Sequence, residues 1–117
     1  MNREAINVNK NTLGIIGLAM RAGKAEPGTN NTVEAIRAGK AKLVLIANDA
    51  SENTRKLVSD KSLYYKAECI VCDAGSDELG RAMGKRSSAA VAITDPGFVT
   101  AYKKSIEALT AKTERGM

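Results

Sequence analysis

The sequence contains no histidine and no tryptophan, and aromatic residues make up only 3% of its 117 residues. Histidine is the usual acid–base residue near neutral pH and the commonest protein ligand of metal ions. Because it is absent, we expect neither a cofactor nor a metal site. The scarcity of aromatic residues argues against RNA-binding modules that stack unpaired bases on a sheet.

Long apolar runs are also missing. Leu43–Ala47 is as long as any in the chain and is far too short to cross a bilayer. The first five residues, Met1 to Ala5, lack the apolar core of a signal peptide. We therefore expect a cytoplasmic protein with no membrane partner, and we take it to be a monomer.

The chain has fewer acidic residues than basic ones. Lysine and arginine number 18 against 13 aspartates and glutamates, which gives a net charge of +5 and a pI near 9.4. Such an excess in a small domain favours an anionic partner, and we favour RNA over DNA or a membrane. The alternative is that the charge only keeps the surface soluble.

The two cysteines form a C-x-x-C, a spacing found in redox and zinc sites. Here the surrounding residues, 68–72, are typical of a strand, in which a three-residue offset puts Cys69 and Cys72 on opposite faces. Zinc would also need further cysteine or histidine ligands. We therefore expect two buried, inert thiols.

Hydrophobic periodicity and helix-end signals predict the order helix, helix, strand, helix, strand, helix, strand, helix. Buried strands that alternate with helices predict an α/β fold, a three-layer α/β/α sandwich around a small, largely parallel or mixed sheet. We expect a single domain over residues 1–117, with frayed ends at 1–9 and 110–117. The predicted helices lie at about 10–22, 29–38, 51–63, 76–84 and 96–109, and the predicted strands at 41–47, 68–72 and 89–93.

The start of the second helix, Gly28–Arg37, combines a loop glycine with a first turn of amides and hydroxyls. Free backbone N–H groups and the positive end of the helix dipole make such a start a potential phosphate site. The alternative is an ordinary N-cap, in which Thr29 or Asn30 only satisfies its own helix.

Asp49, Asp73 and Asp95 each follow a predicted strand, where open α/β sheets bind ligands. Together they could hold Mg²⁺ and support phosphoryl transfer or nucleotide binding. They could equally cap the following helices, which suits Asp95 as N-cap with Pro96 at the first helical position. Because no nucleophile stands beside a base, we expect no enzyme.

Basic residues fall in several groups along the chain. If the start of the second helix and the loop before the last strand share an edge, they form a two-part anion-binding surface. The groups are Arg21 and Lys24 after the first helix; Arg37, Lys40 and Lys42 around the end of the second; Arg55, Lys56, Lys61 and Lys66 on a solvated face of the third; and Lys85 and Arg86 before the last strand.

Several stretches, taken in order, resemble the L7Ae/L30e group of kink-turn RNA-binding ribosomal proteins, and its bacterial branch most closely. Each stretch is weak alone, but the ordered set spans about residues 10 to 105. The matching stretches are 18–24 (LAMRAGK), 28–30 (GTN), 35–47 (AIRAGKAKLVLIA), 49–54 (DASENT), 78–85 (ELGRAMGK) and 91–95 (VAITD).

The resemblance implies an α/β/α sandwich that binds structured RNA, and it also implies association with the ribosome. In that family, the start of the second helix enters the opened groove of a kink-turn beside sheared G·A pairs, and the loop before the last strand covers an extruded base. Carried over by position, the helix contacts are Gly28, Thr29, Asn30, Asn31 and Glu34, with Arg37 on the same face, and the covering loop is Lys85, Arg86, Ser87 and Ser88.

Two of these positions depart from the strong RNA binders of the family. Asn31 stands where they have glutamate, and its amide still offers an acceptor to a guanine edge. Glu34 stands where they have lysine, so a charge that should face RNA is reversed. An i, i+3 pairing with Arg37 would offset this in part. The covering loop is also more polar than in strong binders, so the resemblance implies weaker binding or a different RNA. A protein-interaction domain that has lost RNA binding is the further alternative.

Overall fold

A computed structural model describes the backbone of residues 3–115 and the side chains of residues 12–107. Five helices and four strands alternate along this part of the chain. The helices are α1 (Arg3–Arg21), α2 (Thr29–Arg37), α3 (Glu52–Tyr64), α4 (Ser76–Ala82) and α5 (Pro96–Arg115), and the strands are β1 (Ala25–Pro27), β2 (Leu43–Ile46), β3 (Cys69–Val71) and β4 (Ala90–Ile93).

The strands form one mixed sheet in the order β1-β4-β2-β3. Only β2 and β3 run parallel, with Val44 opposite Cys69. Strand β4 runs antiparallel to both of its neighbours, and pairs Ile46 with Ala90 and Glu26 with Ala92. The end of β2 therefore lies beside the beginning of β4, and the start of α2 and the loop before β4 lie at this edge.

Helices cover both faces of the sheet, so the predicted three-layer α/β/α sandwich is confirmed. Residues of β2 alternate between the two sides because successive strand side chains point in opposite directions. Leu43 and Leu45 pack with residues of α1, α4 and α5, such as Ile16, whereas Val44 and Ile46 pack with α2 and α3. All four β2 side chains are buried.

Three elements differ from the sequence predictions. The connection after α1 contains the short strand β1, which was expected to be loop. Helix α1 begins at Arg3 rather than near Lys10. Strand β3 was expected to be buried, but it lies at the edge of the sheet and leaves Val71 53% exposed.

Some expectations concern the chain ends. The side chains of 1–9 and 110–117, where fraying was predicted, lie outside the described residues, and the backbone is helical from Arg3 and as far as Arg115. Among the described helices, none has both the length and the apolar character needed to span a bilayer.

Candidate nucleic-acid interface

Helix α2 begins at Thr29, immediately after Gly28, whose backbone has φ 94° and ψ 154°. This region of conformational space is open essentially only to glycine. The Gly28 N–H donates to the Ala90 carbonyl and to the Ser88 hydroxyl, each at 2.9 Å. The start of α2 is therefore fastened directly to the residues that lead into β4.

The first backbone amides of α2 are available to a ligand. The first helical bond runs from the Thr32 N–H to the Gly28 carbonyl at 2.9 Å, so the N–H groups of Thr29, Asn30 and Asn31 precede it. The N-cap is Gly28, and no described side chain caps the helix. The prediction that Thr29 or Asn30 acts as the N-cap is therefore wrong, because the chain turns into the helix one residue earlier than that role requires.

Side chains in the first turn of α2 divide into anchors and exposed groups. Thr32 is fully buried. The side chain of Asn31 is exposed, and its amide nitrogen donates to the Pro27 carbonyl at 2.8 Å. Asn30 is exposed. The helix start therefore exposes polar side chains, while the buried Thr32 and the bond from Asn31 to Pro27 hold it in place.

The loop at 85–88 lies against this helix start, so the structure brings the two predicted parts together. Ser88 is only 3% exposed, and its hydroxyl donates to the Ala90 carbonyl at 2.7 Å while accepting from Gly28. Ser88 was predicted to lie in the covering loop; its buried side chain is placed to brace the helix start and leaves little surface for a partner. Lys85, Arg86 and Ser87 are exposed.

Helix α4 supports the loop from behind. A Cβ built on Gly80 would lie 2.4 Å from the Ser87 Cα and 2.6 Å from its nitrogen, so the two backbones touch. The Lys85 N–H also donates to the Gly80 carbonyl at 2.7 Å. The position of the loop is consequently fixed by α4 as well as by α2.

A chain of hydrogen bonds extends from this site to the loop after β2. The Asp49 carboxylate accepts from the Ser76 hydroxyl at 2.6 Å and from the Ser76 N–H at 2.9 Å. The Ser76 carbonyl then accepts from the Ser88 N–H at 3.0 Å. The hydrogen bonds from the Ser76 side chain and backbone lower the pKa of Asp49, because they stabilise its charged form. Asp49 therefore organises the supporting loops.

Glu34 and Arg37 face outward from α2, one turn beyond the amides. Their charged groups lie 3.8 Å apart, and the side chains are 74% and 54% exposed, so the predicted i, i+3 pair is present. An exposed pair at this distance contributes little to stability.

The three aspartates proposed as a magnesium site do not come together. Asp49 and Asp73 follow the parallel strands β2 and β3, but β4 runs the other way and carries Asp95 to the opposite edge. Asp95 caps α5 by accepting from the Gly97 N–H at 2.9 Å. Within the described side chains, no group of three or more acidic or cysteine residues could hold a metal ion.

Cys69 and Cys72 pack on opposite sides of the sheet, as predicted. Both are free thiols; Cys72 is buried and Cys69 half-buried. Burial raises the pKa of both thiols, because it disfavours the thiolate.

The cysteines should therefore react slowly in the folded protein. We expect iodoacetamide at pH 8 to alkylate them at least about tenfold more slowly than in the urea-unfolded chain, since the thiolate is the nucleophile. Mass spectrometry of timed samples measures both rates. Alkylation at equal rates would show that the thiols are accessible and activated.

Gly80 and Ser76 were not predicted from the sequence as supporting residues, and Asp49 was considered only as one of three alternative Mg²⁺ ligands or as a helix cap. The sequence did offer one indication for Gly80, because a glycine stands within a predicted helix next to the predicted loop. For Ser76 there was none, because its partner Asp49 is distant in sequence.

Comparison with known proteins finds a family and several relatives that this chain resembles. A family model described as the ribosomal protein L7Ae/L30e/S12e/Gadd45 family matches residues 10–103. The RNA-binding protein YlxQ of Enterococcus faecium is 45% identical over 95 residues, which cover 81% of this chain and 90% of that protein. The large ribosomal subunit protein eL30 of Yarrowia lipolytica is 40% identical over 87 residues, or 70% of this chain and 76% of that protein. A solved structure of a Bacillus halodurans protein of unknown function is similar with a TM-score of 0.74 at 31% identity, covering 82% of this chain and 96% of that one.

Proposed function

Since the chain belongs to the ribosomal protein L7Ae/L30e/S12e/Gadd45 family, we propose that it binds structured RNA of the kink-turn type through the start of α2 and the loop at 85–88. The observation that carries this proposal is the bond from the Gly28 N–H to the Ser88 hydroxyl, which joins the two parts into one surface. A helix start with available amides suits phosphate, and basic residues flank it in the loop.

The protein is a binding protein and not an enzyme, as its family membership indicates. Its relative YlxQ is named as an RNA-binding protein, and eL30 as a protein of the large ribosomal subunit. Ribosomal RNA is therefore the first candidate for the source of the bound RNA.

Most of the predicted contacts have a role in this proposal. The amides of Thr29, Asn30 and Asn31 would hold a phosphate, and the exposed side chains of Asn30 and Asn31 would hydrogen-bond to guanine edges. Lys85 and Arg86 would contact phosphates from the loop. Ser88 and Gly28 act indirectly, because they hold the helix start and the loop at a fixed separation.

The proposal is tested with Asn30→Ala. Removing this exposed amide should weaken binding to a kink-turn RNA by about 1–3 kcal/mol, because a base-edge contact is lost. Asn53→Ala is the matched control, since Asn53 is also exposed in the first turn of a helix, α3. Fluorescence anisotropy over a range of salt concentrations measures both, and affinity should fall as salt rises. If Asn30→Ala binds like the wild type, the proposed mode of recognition is wrong.

Glu34 is the residue that most opposes RNA binding at this surface. Glu34→Lys should strengthen binding to kink-turn RNA about three- to tenfold at low salt, because the variant places a cation where the wild type places a carboxylate. Isothermal titration calorimetry measures the change.

The control for Glu34→Lys is Glu107→Lys, which makes the same change in net charge at an exposed position on α5. An equal gain in RNA affinity in both variants would show that the effect comes from the net charge of the protein and not from position 34. Weaker binding by Glu34→Lys would contradict the proposed orientation of α2 toward RNA.

A further inference from the structure

Two adjacent tyrosines are exposed at the end of α3, outside the site described above. Tyr64 is 78% exposed and Tyr65 is 42% exposed. Their ring centroids lie 4.9 Å apart with an interplanar angle of 76°. The whole chain has only three tyrosines and one phenylalanine, and the third tyrosine, Tyr102, is buried in the core. Burial of apolar area therefore does not account for the two exposed rings.

Three lysines lie near this pair along the chain or through the pairing of the sheet. Lys61 precedes Tyr64 and Tyr65 by three and four residues, a spacing that puts side chains on the same face of a helix. Lys66 follows directly. Lys42 precedes β2, and the parallel pairing of Val44 with Cys69 places its backbone near Ala67, two residues after Tyr65.

The acidic residues nearby do not cancel this charge. Glu68 forms an ion pair with Lys103 at 2.7 Å. Asp60 lies on α3 and is one acid against Lys42, Lys61 and Lys66. The surface around the tyrosines is therefore complementary to an anion.

Lys66 occupies a backbone conformation that disfavours a side chain, with φ 61°. Other helices in the described chain end with glycine in this conformation, at Gly23, Gly39 and Gly84. Glycine is the residue that a helix end of this kind ordinarily uses. Lysine at this position keeps a positive charge beside Tyr65 at a cost in backbone strain.

We propose that Tyr64, Tyr65, Lys42, Lys61 and Lys66, the tyrosine–lysine surface, bind unpaired nucleotides adjoining the structured RNA. Bases would stack on the tyrosine rings while the lysines neutralise phosphates, the combination by which proteins bind single strands. This surface adjoins the beginnings of β2 and β3, at the opposite end of α2 from Gly28. The nine residues of α2 span about 14 Å, and in this proposal one RNA strand follows the helix from one end to the other. The inference rests on the proposed function in that both assign RNA as the partner.

The experiment compares RNAs with and without an unpaired extension. A blunt kink-turn RNA and a blunt straight duplex are each measured alone and with about eight added uridines, a length within the usual range for single-strand sites. The extension should strengthen wild-type binding about tenfold on either RNA, because each stacked base adds affinity. The double variant Tyr64→Ala/Tyr65→Ala should lose that gain, and Tyr64→Phe/Tyr65→Phe should keep it. All three proteins should bind the blunt kink-turn RNA equally.

Lys66→Gly provides a second, independent readout. Relief of backbone strain should raise the Tm by a few degrees, while loss of the charge should reduce the gain from the extension. A variant that is more stable and yet binds the extended RNA more weakly separates the binding role of Lys66 from a structural one.

The inference is overturned if the extension gives the wild type no gain, or if the double alanine variant keeps the gain. The second result would favour a protein partner for this surface. Failure of the proposed function is seen separately, as equal wild-type affinity for the two blunt RNAs.

Discussion

Replacing Gly28 with alanine should lower the affinity for kink-turn RNA by more than about tenfold, an effect of at least 1.4 kcal/mol. A Cβ at this position has free space around it, so the expected effect comes from the backbone and not from a clash. At φ 94° and ψ 154° a residue with a side chain costs about 1–3 kcal/mol. The chain can relieve this strain by rotating the start of α2, which would break the bond from the Gly28 N–H to Ser88 and displace the amides of the first turn.

The matched control for this prediction is Gly39→Ala at the other end of the same helix. Gly39 also has a positive φ, 74°, and free space for a Cβ, so alanine there should destabilise the fold by about 1–2 kcal/mol. Urea unfolding and RNA titration of both variants separate stability from recognition. Equal losses of affinity would mean that the conformation of Gly28 has no particular role in binding.

Gly80→Ala should be the most destabilising of the substitutions considered. The added methyl group would lie 2.4 Å from the Ser87 Cα and 2.7 Å from the Ser87 carbonyl carbon, and backbone atoms cannot rotate away as a side chain can. Overpacking of this kind typically costs about 1–3 kcal/mol. Movement of Ser87 would also displace the loop at 85–88, so RNA affinity should fall along with stability.

Gly14→Ala is the control for Gly80→Ala, because Gly14 lies within α1 and a Cβ there meets nothing within 4 Å. It should stabilise the protein by about 0.5–1 kcal/mol through the ordinary helix preference for alanine. Urea denaturation measures both stabilities, and hydrogen exchange at 85–88 reports on the loop. If Gly80→Ala unfolds at the wild-type urea concentration, the close contact with Ser87 is not as described.

The helices were the part of the fold most accessible to prediction. Asp95 and Pro96 predicted the start of α5. The hydrogen bond from the Gly97 N–H to the Asp95 carboxylate confirms the predicted N-cap. Local chemistry of this kind lies within a few residues of sequence, so its outcome depends little on the rest of the molecule.

The relative direction of the strands was harder to predict from the sequence. A sequence of buried strands alternating with helices is compatible with a parallel or a mixed sheet, and the short β1, which pairs antiparallel with β4, has too few residues to show a period. Because β4 runs antiparallel to β2, Asp95 lies at the opposite edge of the sheet from Asp49. For this reason Asp49, Asp73 and Asp95 do not form the magnesium site considered above.

In the candidate site, too, the segments could be predicted from the sequence, whereas the contacts between distant residues could not. Composition and resemblance identified the start of α2 and the loop at 85–88, but not that Ser88 is buried between them. Its partners, Gly28 and Ser76, are distant in sequence, and such contacts are determined only by the packed fold. The departure at Glu34 was visible in the sequence, and the structure adds its pairing with Arg37.

The central claim is that the start of α2 and the loop at 85–88 together recognise a kinked RNA. The most direct test is the affinity of the wild-type protein for a kink-turn RNA and for a straight duplex of the same length and charge, at one salt concentration. Because phosphate contacts alone do not distinguish the two, we expect the kink-turn RNA to bind at least about tenfold more tightly. Equal affinity for the two RNAs would contradict the account.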